Sequence, residues 1–94
     1  MWSILEAKSL AKELKKAACE IREAYAAWKN VVAASGPAGL ERINGYRDHS
    51  FKGERAGARA SSLNQQWRVI YLIRSQKIDV LVLRVSLHDY RRSL

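Results

Sequence analysis

Two apolar, β-prone runs, Trp67–Ile73 and Ile78–Val85, are separated by only the four residues Arg74-Ser75-Gln76-Lys77. Aromatic and β-branched side chains fill both runs, the types that pack well on a pleated surface. A link this short cannot cross over a sheet, so the two runs must pair as an antiparallel hairpin. Ala58–Leu63, followed by the turn-like Asn64-Gln65-Gln66, adds a further antiparallel strand on the same argument. Trp2–Leu5 is short, bulky and apolar, and reads as an edge strand.

Before this meander the period changes. Leu10, Leu14, Ala17, Ile21, Tyr25, Trp28 and Val32 recur at intervals of three or four, the stripe of an amphipathic helix. Such a stripe is a core face far more often than a docking face. No Pro or Gly interrupts Lys8–Ala34, so the spacing alone predicts one long helix, stopped by Ser35-Gly36-Pro37. Residues 38–57 read as irregular, with Leu40 and Ile43 anchoring a short helical turn and Lys52–Gly57 forming a polar loop. The expectation is a single α+β domain over residues 1–94, with helical material on one face of a small, mostly antiparallel sheet.

Several functions are disfavoured. No apolar run approaches the ~18–20 residues of a membrane span, and Met1–Glu6 lacks a basic, cleavable leader pattern, so a soluble cytoplasmic protein is expected. Cys19 is the only cysteine and sits in a helical pattern with no histidine nearby, which favours a small packed or half-exposed residue over a nucleophile. With His49 and His88 the only histidines, and no acidic cluster beside them, neither a metal nor another cofactor is expected. The net charge of +8 is uneven: eight basic residues face five acidic ones before Asp48, and nine face four from there on. The excess therefore leans toward the C-terminal half, where a polyanionic partner would bind.

That half ends in Ser86-Leu87-His88-Asp89-Tyr90-Arg91-Arg92. A basic tail is usually a solvated end. This one combines a side chain that titrates near neutral pH with a phenol and guanidiniums, a set suited to a phosphodiester. On the preceding strand, alternation sets Trp67, Val69, Tyr71 and Ile73 on one face and Arg68, Ile70 and Leu72 on the other. An isolated buried guanidinium is costly, so Arg68 must lie near a sheet end, facing either a cleft or a carboxylate such as Asp79. Arg59 lies on the strand before it. Lys52, Arg55 and Arg91 are individually ordinary surface cations; together with Arg59 and Arg68 they describe a basic concave sheet face. Single-stranded RNA fits such a surface.

The order of these segments resembles the RelE/ParE superfamily of bacterial type II toxins over nearly the whole chain. The likeness is densest in Gly45-Tyr46-Arg47-Asp48-His49-Ser50-Phe51-Lys52-Gly53-Glu54-Arg55-Ala56-Gly57-Ala58-Arg59, in Leu63-Asn64-Gln65-Gln66-Trp67-Arg68-Val69-Ile70-Tyr71, and in His88-Asp89-Tyr90-Arg91-Arg92. The resemblance implies two N-terminal helices packed on a twisted sheet, with the helical break near Ala17-Ala18-Cys19. It implies ribosome-dependent, metal-independent mRNA cleavage, in which the ribose 2′-OH attacks the adjacent phosphate. Arg68 then matches the catalytic arginine of the central strand, with Arg59 at a basic position on the preceding one. His88 matches the C-terminal histidine of a YafQ-like branch as the acid or base, and Tyr90 the tail tyrosine that orients substrate. His49, Lys52, Arg55 and Arg91 are expected to contact RNA. Gln66 stands where the YafQ-like strand has an acidic residue, so that branch's full site is not reproduced.

The partners expected by resemblance are an antitoxin protein, acidic where it covers this surface, and mRNA on the ribosome with contacts to ribosomal RNA. Neither a membrane nor a small-molecule cofactor is expected. A ParE-like inhibitor of DNA gyrase, or a degenerate module that only binds an antitoxin, is the alternative. The cluster His88–Arg92 counts against the gyrase reading.

Overall fold

The stripe from Leu10 to Val32 is carried by two helices rather than one. The structure, a computed structural model, describes residues 1–50, 57–74 and 78–87. Helix α1 spans Leu10–Lys16 and α2 spans Cys19–Ser35. Between them Ala17 and Ala18 take extended backbone, with ψ of 151° and 156°. No Pro or Gly makes this break. Instead Arg22, in the first turn of α2, donates to the carbonyls of Ala17 at 2.6 Å and Leu14 at 3.3 Å, acceptors that a helix end otherwise leaves open. The helical hairpin implied by the resemblance is present, and the uninterrupted helix predicted from spacing is not. Ala17 is itself buried, so the apolar stripe runs unbroken across the turn.

Helix α2 stops at Gly36, whose φ of 70° and ψ of −176° lie in a region essentially reserved for glycine. The Trp2 indole packs onto this residue, and a Cβ there would fall 2.4 Å from Trp2 Nε1. Gly36→Ala is therefore expected to cost about 1–3 kcal/mol in backbone strain, with the collision adding to it. Urea unfolding followed by tryptophan fluorescence measures the loss; an unchanged midpoint would refute it.

The segment read as irregular from sequence holds three small elements. Pro37 opens the five-residue helix α3, Pro37–Glu41. A 3₁₀ turn follows at Asn44–Tyr46, then the two-residue strand β2, His49–Ser50. Each is too short for a periodic pattern to show.

The remaining strands are β1 (Ser3–Glu6), β3 (Ala58–Ser62), β4 (Trp67–Arg74) and β5 (Asp79–Leu87). The sheet order is β1-β5-β4-β3-β2, with β1 parallel to β5 and every other pair antiparallel. The expected hairpin is β4–β5, and the expected edge strand is β1. Between Ile70 and Tyr71 the register slips: Ile70 pairs with Arg84 and Tyr71 with Val82, leaving Leu83 as an extra residue in β5. Glu13 of α1 engages β5 beside this bulge, accepting from the Val85 N–H at 3.1 Å and from Arg84 Nη2 at 2.7 Å.

One sheet face carries Val69, Tyr71, Val80, Val82 and Val85 against Leu10, Ile21, Tyr25, Trp28 and Val32 of the helices. Tyr25, Trp28 and Tyr71 form an aromatic column through this core, with ring centroids 5.9 and 5.2 Å apart. Among the described residues, no helix is long and apolar enough to cross a membrane.

Candidate nucleic-acid groove

On β4 the strand alternation puts Arg68 on the face turned away from the helices. Its cross-strand neighbours there are Ser62 on β3 and Ser86 on β5. The turn into β4 fixes where that side chain starts. Asn64 Oδ1 accepts from the backbone N–H groups of Gln66 at 2.8 Å and Trp67 at 2.7 Å, an Asx turn that ends one residue before Arg68. Arg68 is half-buried. Among the described residues its guanidinium has no hydrogen-bonded or ion-pair partner.

Arg68 lines a groove of about 380 Å³ with Gly45, Arg47, His49, Ser62, Asn64 and Gln65. No acidic side chain is among those residues. Arg47 enters with left-handed backbone, φ 47° and ψ 41°, an uncommon conformation for a residue with a Cβ. His49 Nδ1 lies 2.8 Å from the Arg47 carbonyl oxygen. A carbonyl can only accept, so this contact places the proton on Nδ1 and makes Nε2 the basic nitrogen of the neutral ring. A guanidinium without a counter-ion can donate to phosphate oxygens and stabilise charge that develops on them.

Arg59 stands on the other side of the sheet. It pairs with Tyr71 across β3 and β4, and so shares the helix-side face. Its Nε and Nη2 donate to Asp48 Oδ2 at 2.9 and 2.7 Å, and Nη2 lies 3.4 Å from Glu41. Asp48 Oδ1 accepts from Ser61 Oγ at 2.7 Å and from the Tyr71 hydroxyl. The Asp48 carboxylate is 0% exposed and the Arg59 side chain 21%. Burial works against the Arg59 charge, yet the hydrogen bonds and negative charge of Asp48 outweigh it and raise its pKa. Arg59 and Arg68 are thus not two walls of one site: opposite faces of the sheet separate them.

The other expectations divide clearly. His49 is in the groove beside Arg68. Asp79, considered as a partner for Arg68, is held instead by Arg74 at 2.6 and 2.9 Å, at the far end of the β4–β5 pair. His88, Tyr90, Arg91, Lys52 and Arg55 lie outside the described residues. Arg47 and the Asp48 hub escaped sequence reasoning. The one available signal for Asp48 was its place beside His49, and nothing in the sequence marks a carboxylate that is to be buried. Among the described residues, no group of three or more His, Cys, Asp or Glu side chains could hold a metal ion.

Burial, the hydrogen bond to Asp48 and its charge push the Tyr71 phenol well above its ordinary value, although Arg59 opposes them. Burial and Glu6, which accepts from the Tyr25 hydroxyl at 2.6 Å, do the same for Tyr25. Both phenols are raised in the folded state, so their contribution to stability is complete below the ordinary phenol value of 10.0 and is lost as pH rises above it. Stability is expected to fall from about pH 10 upward, with these two phenols ionising only as the chain unfolds. Ultraviolet titration beside circular dichroism checks this; ionisation of all tyrosines near pH 10 with the fold intact would refute it.

A helical hairpin on a five-stranded sheet is the fold of solved RelE- and ParE-type toxins. Among solved structures the chain is similar to YafQ from E. coli strain BL21(DE3), with a TM-score of 0.73 and 15% identity over 94% of each chain. It is similar to the YoeB/ParE toxin from Agrobacterium tumefaciens at a TM-score of 0.74 and 15% identity, covering 95% of this chain and 100% of that one. The archaeal RelE–RelB complex from Pyrococcus horikoshii OT3 matches at 0.74 and 13%, over 95% and 97%. At these identities the likeness is one of fold. No protein-family model matches the sequence, and no curated protein does either.

Proposed function

We propose that the chain is the toxin of a bacterial type II toxin–antitoxin system, and that it cuts mRNA on the ribosome. The observation that carries this reading is Arg68: a half-buried guanidinium on a central strand, without a counter-ion among the described residues, facing a groove with Arg47 and His49. A cation left unneutralised at such a place suits an anionic ligand. The fold supports the choice of ligand, because toxins such as YafQ and RelE share it.

In the proposed reaction the ribose 2′-oxygen attacks phosphorus and the P–O5′ bond breaks, leaving a 2′,3′-cyclic phosphate and a 5′-hydroxyl. Arg68 stabilises the charge on the phosphoryl oxygens. His88 transfers protons, Tyr90 orients the nucleotide, and Arg91, His49, Lys52 and Arg55 contact the RNA backbone. Leu87, the last residue of β5, pairs with Trp67, next to Arg68 on β4. Arg59 takes no part in the chemistry in this reading. The partner is an antitoxin, as in the DinJ–YafQ and RelE–RelB complexes, with carboxylates expected over the groove.

Purified protein added to translating ribosomes, followed by mapping of mRNA 5′ ends, tests the proposal. Discrete new ends that depend on the ribosome are expected. Intact mRNA together with inhibition of gyrase supercoiling would favour the ParE-like alternative.

A further inference from the structure

The groove and the Asp48 hub lie on opposite faces of one short stretch of chain. Arg47 and His49 line the groove, and the residue between them points through the sheet edge to the other side. β2, which follows Asp48, is only two residues long and holds to β3 through two register pairs, His49 with Ala60 and Ser50 with Arg59. So short an edge strand is poorly anchored by its own ladder. Arg47 adds left-handed backbone, a conformation that persists where the surroundings impose it. The surroundings here are one saturated carboxylate, which accepts from Arg59 twice, from Ser61 and from Tyr71. Two of these donors sit on β3 and one on β4, so the carboxylate clamps the 45–49 rim to two further strands at once.

From this we infer that Asp48, with Arg59 and Tyr71, is a positioning unit: a buried ion pair on the helix side that fixes Arg47 and His49 for RNA on the groove side. The inference rests on the RNA-cutting reading for the identity of the ligand alone. It also gives Arg59 a role without substrate contact. The hydroxyl of Tyr71, whose ring packs edge-on against Trp28, ties the rim to the core.

The test compares the full-length chain with its Tyr71→Phe, Ser61→Ala and Asp48→Asn variants. Three readouts are used: amide exchange at Tyr46 and Arg47, whose N–H groups bond the carbonyls of Ile43 and Asn44; the His49 ring resonances; and mRNA cleavage with kcat and KM separated. Tyr71→Phe keeps the ring in the core and deletes one donor. It is expected to leave exchange in β4 and β5 unchanged, to speed rim exchange about tenfold, and to move the His49 signals. KM for mRNA is expected to rise about tenfold, with a smaller change in kcat. Asp48→Asn is expected to do the same more strongly; should it not fold, Tyr71→Phe and Ser61→Ala decide. Rim exchange and His49 signals that stay at wild-type values in the folded variants would overturn the inference. So would faster exchange spread evenly over the domain, which would make the hub a general stabiliser. A wild-type chain that cuts no mRNA would defeat the proposed function, while the exchange and His49 readouts would still decide the positioning role.

Discussion

Arg68→Ala is expected to reduce mRNA cleavage by about 10²–10³-fold, the usual consequence of removing one preorganised donor to developing negative charge. Its stability is expected to stay within about 0.5 kcal/mol of wild type. The two halves of this expectation come from the same fact. Among the described residues Arg68 satisfies no other group, so its removal orphans nothing. Its charge faces an open groove, where only a ligand can use it. Cleavage assays with end mapping and urea unfolding on the same preparation check both halves. A folded Arg68→Ala variant that still cleaves would remove Arg68 from the site, and a collapsed one would show that its main role is structural.

Asp48→Ala should show the opposite pattern. Loss of this carboxylate is expected to cost about 3–5 kcal/mol, because breaking a buried pair leaves an uncompensated charge behind. Arg59 would keep only Glu41 at 3.4 Å, a carboxylate 62% exposed to solvent, and exposed pairs contribute little. The Ser61 and Tyr71 hydroxyls would lose their acceptor in the interior as well. Such a loss is comparable with the whole stability of some small domains. Urea unfolding measures it, and a cost below about 1 kcal/mol would mean that water or Glu41 replaces the carboxylate. The pair Asp48→Ala and Arg68→Ala thus separates the two arginines that sequence alone placed in one site.

That confusion has a physical source. Alternation assigns faces within a strand, but relating Arg59 to Arg68 requires the register between β3 and β4, which no local pattern carries. The pairing of Arg59 with Tyr71 settles it, since Tyr71 and Arg68 point oppositely. Local signals fared better. The stripe from Leu10 to Val32 named core residues correctly, with Leu14 partly buried and Ala17 in the turn between the helices, because burial is what sets its period. The β4–β5 hairpin followed from the length of its link. The break at Ala17–Ala18 was invisible in the pattern, since Arg22 caps the carbonyls from a distance where a Pro or Gly would have left a local mark. Arg68 was legible as a charge in an apolar strand, whereas His49 came only from the family resemblance. Arg47 and Asp48 were not legible: they lie between a 3₁₀ turn and a two-residue strand, and the side chains that bury the Asp48 carboxylate come from β3 and β4 further along the chain.

The parallel pairing of β1 with β5 joins residues far apart in the sequence, Ser3 to Asp79 and Glu6 to Val82. Contacts so distant in sequence cannot form until nearly everything between them has been made. On a growing chain the helical hairpin can assemble first, as a local structure, while Ser3–Glu6 has no strand to join. Val80, Val82 and Val85, three of the buried core residues, arrive with that same late strand. A chain interrupted before β5 therefore lacks its first strand's partner, part of its core and the strand that carries the chain back to Arg68. Order of synthesis alone delays the finished sheet until β5 has been made.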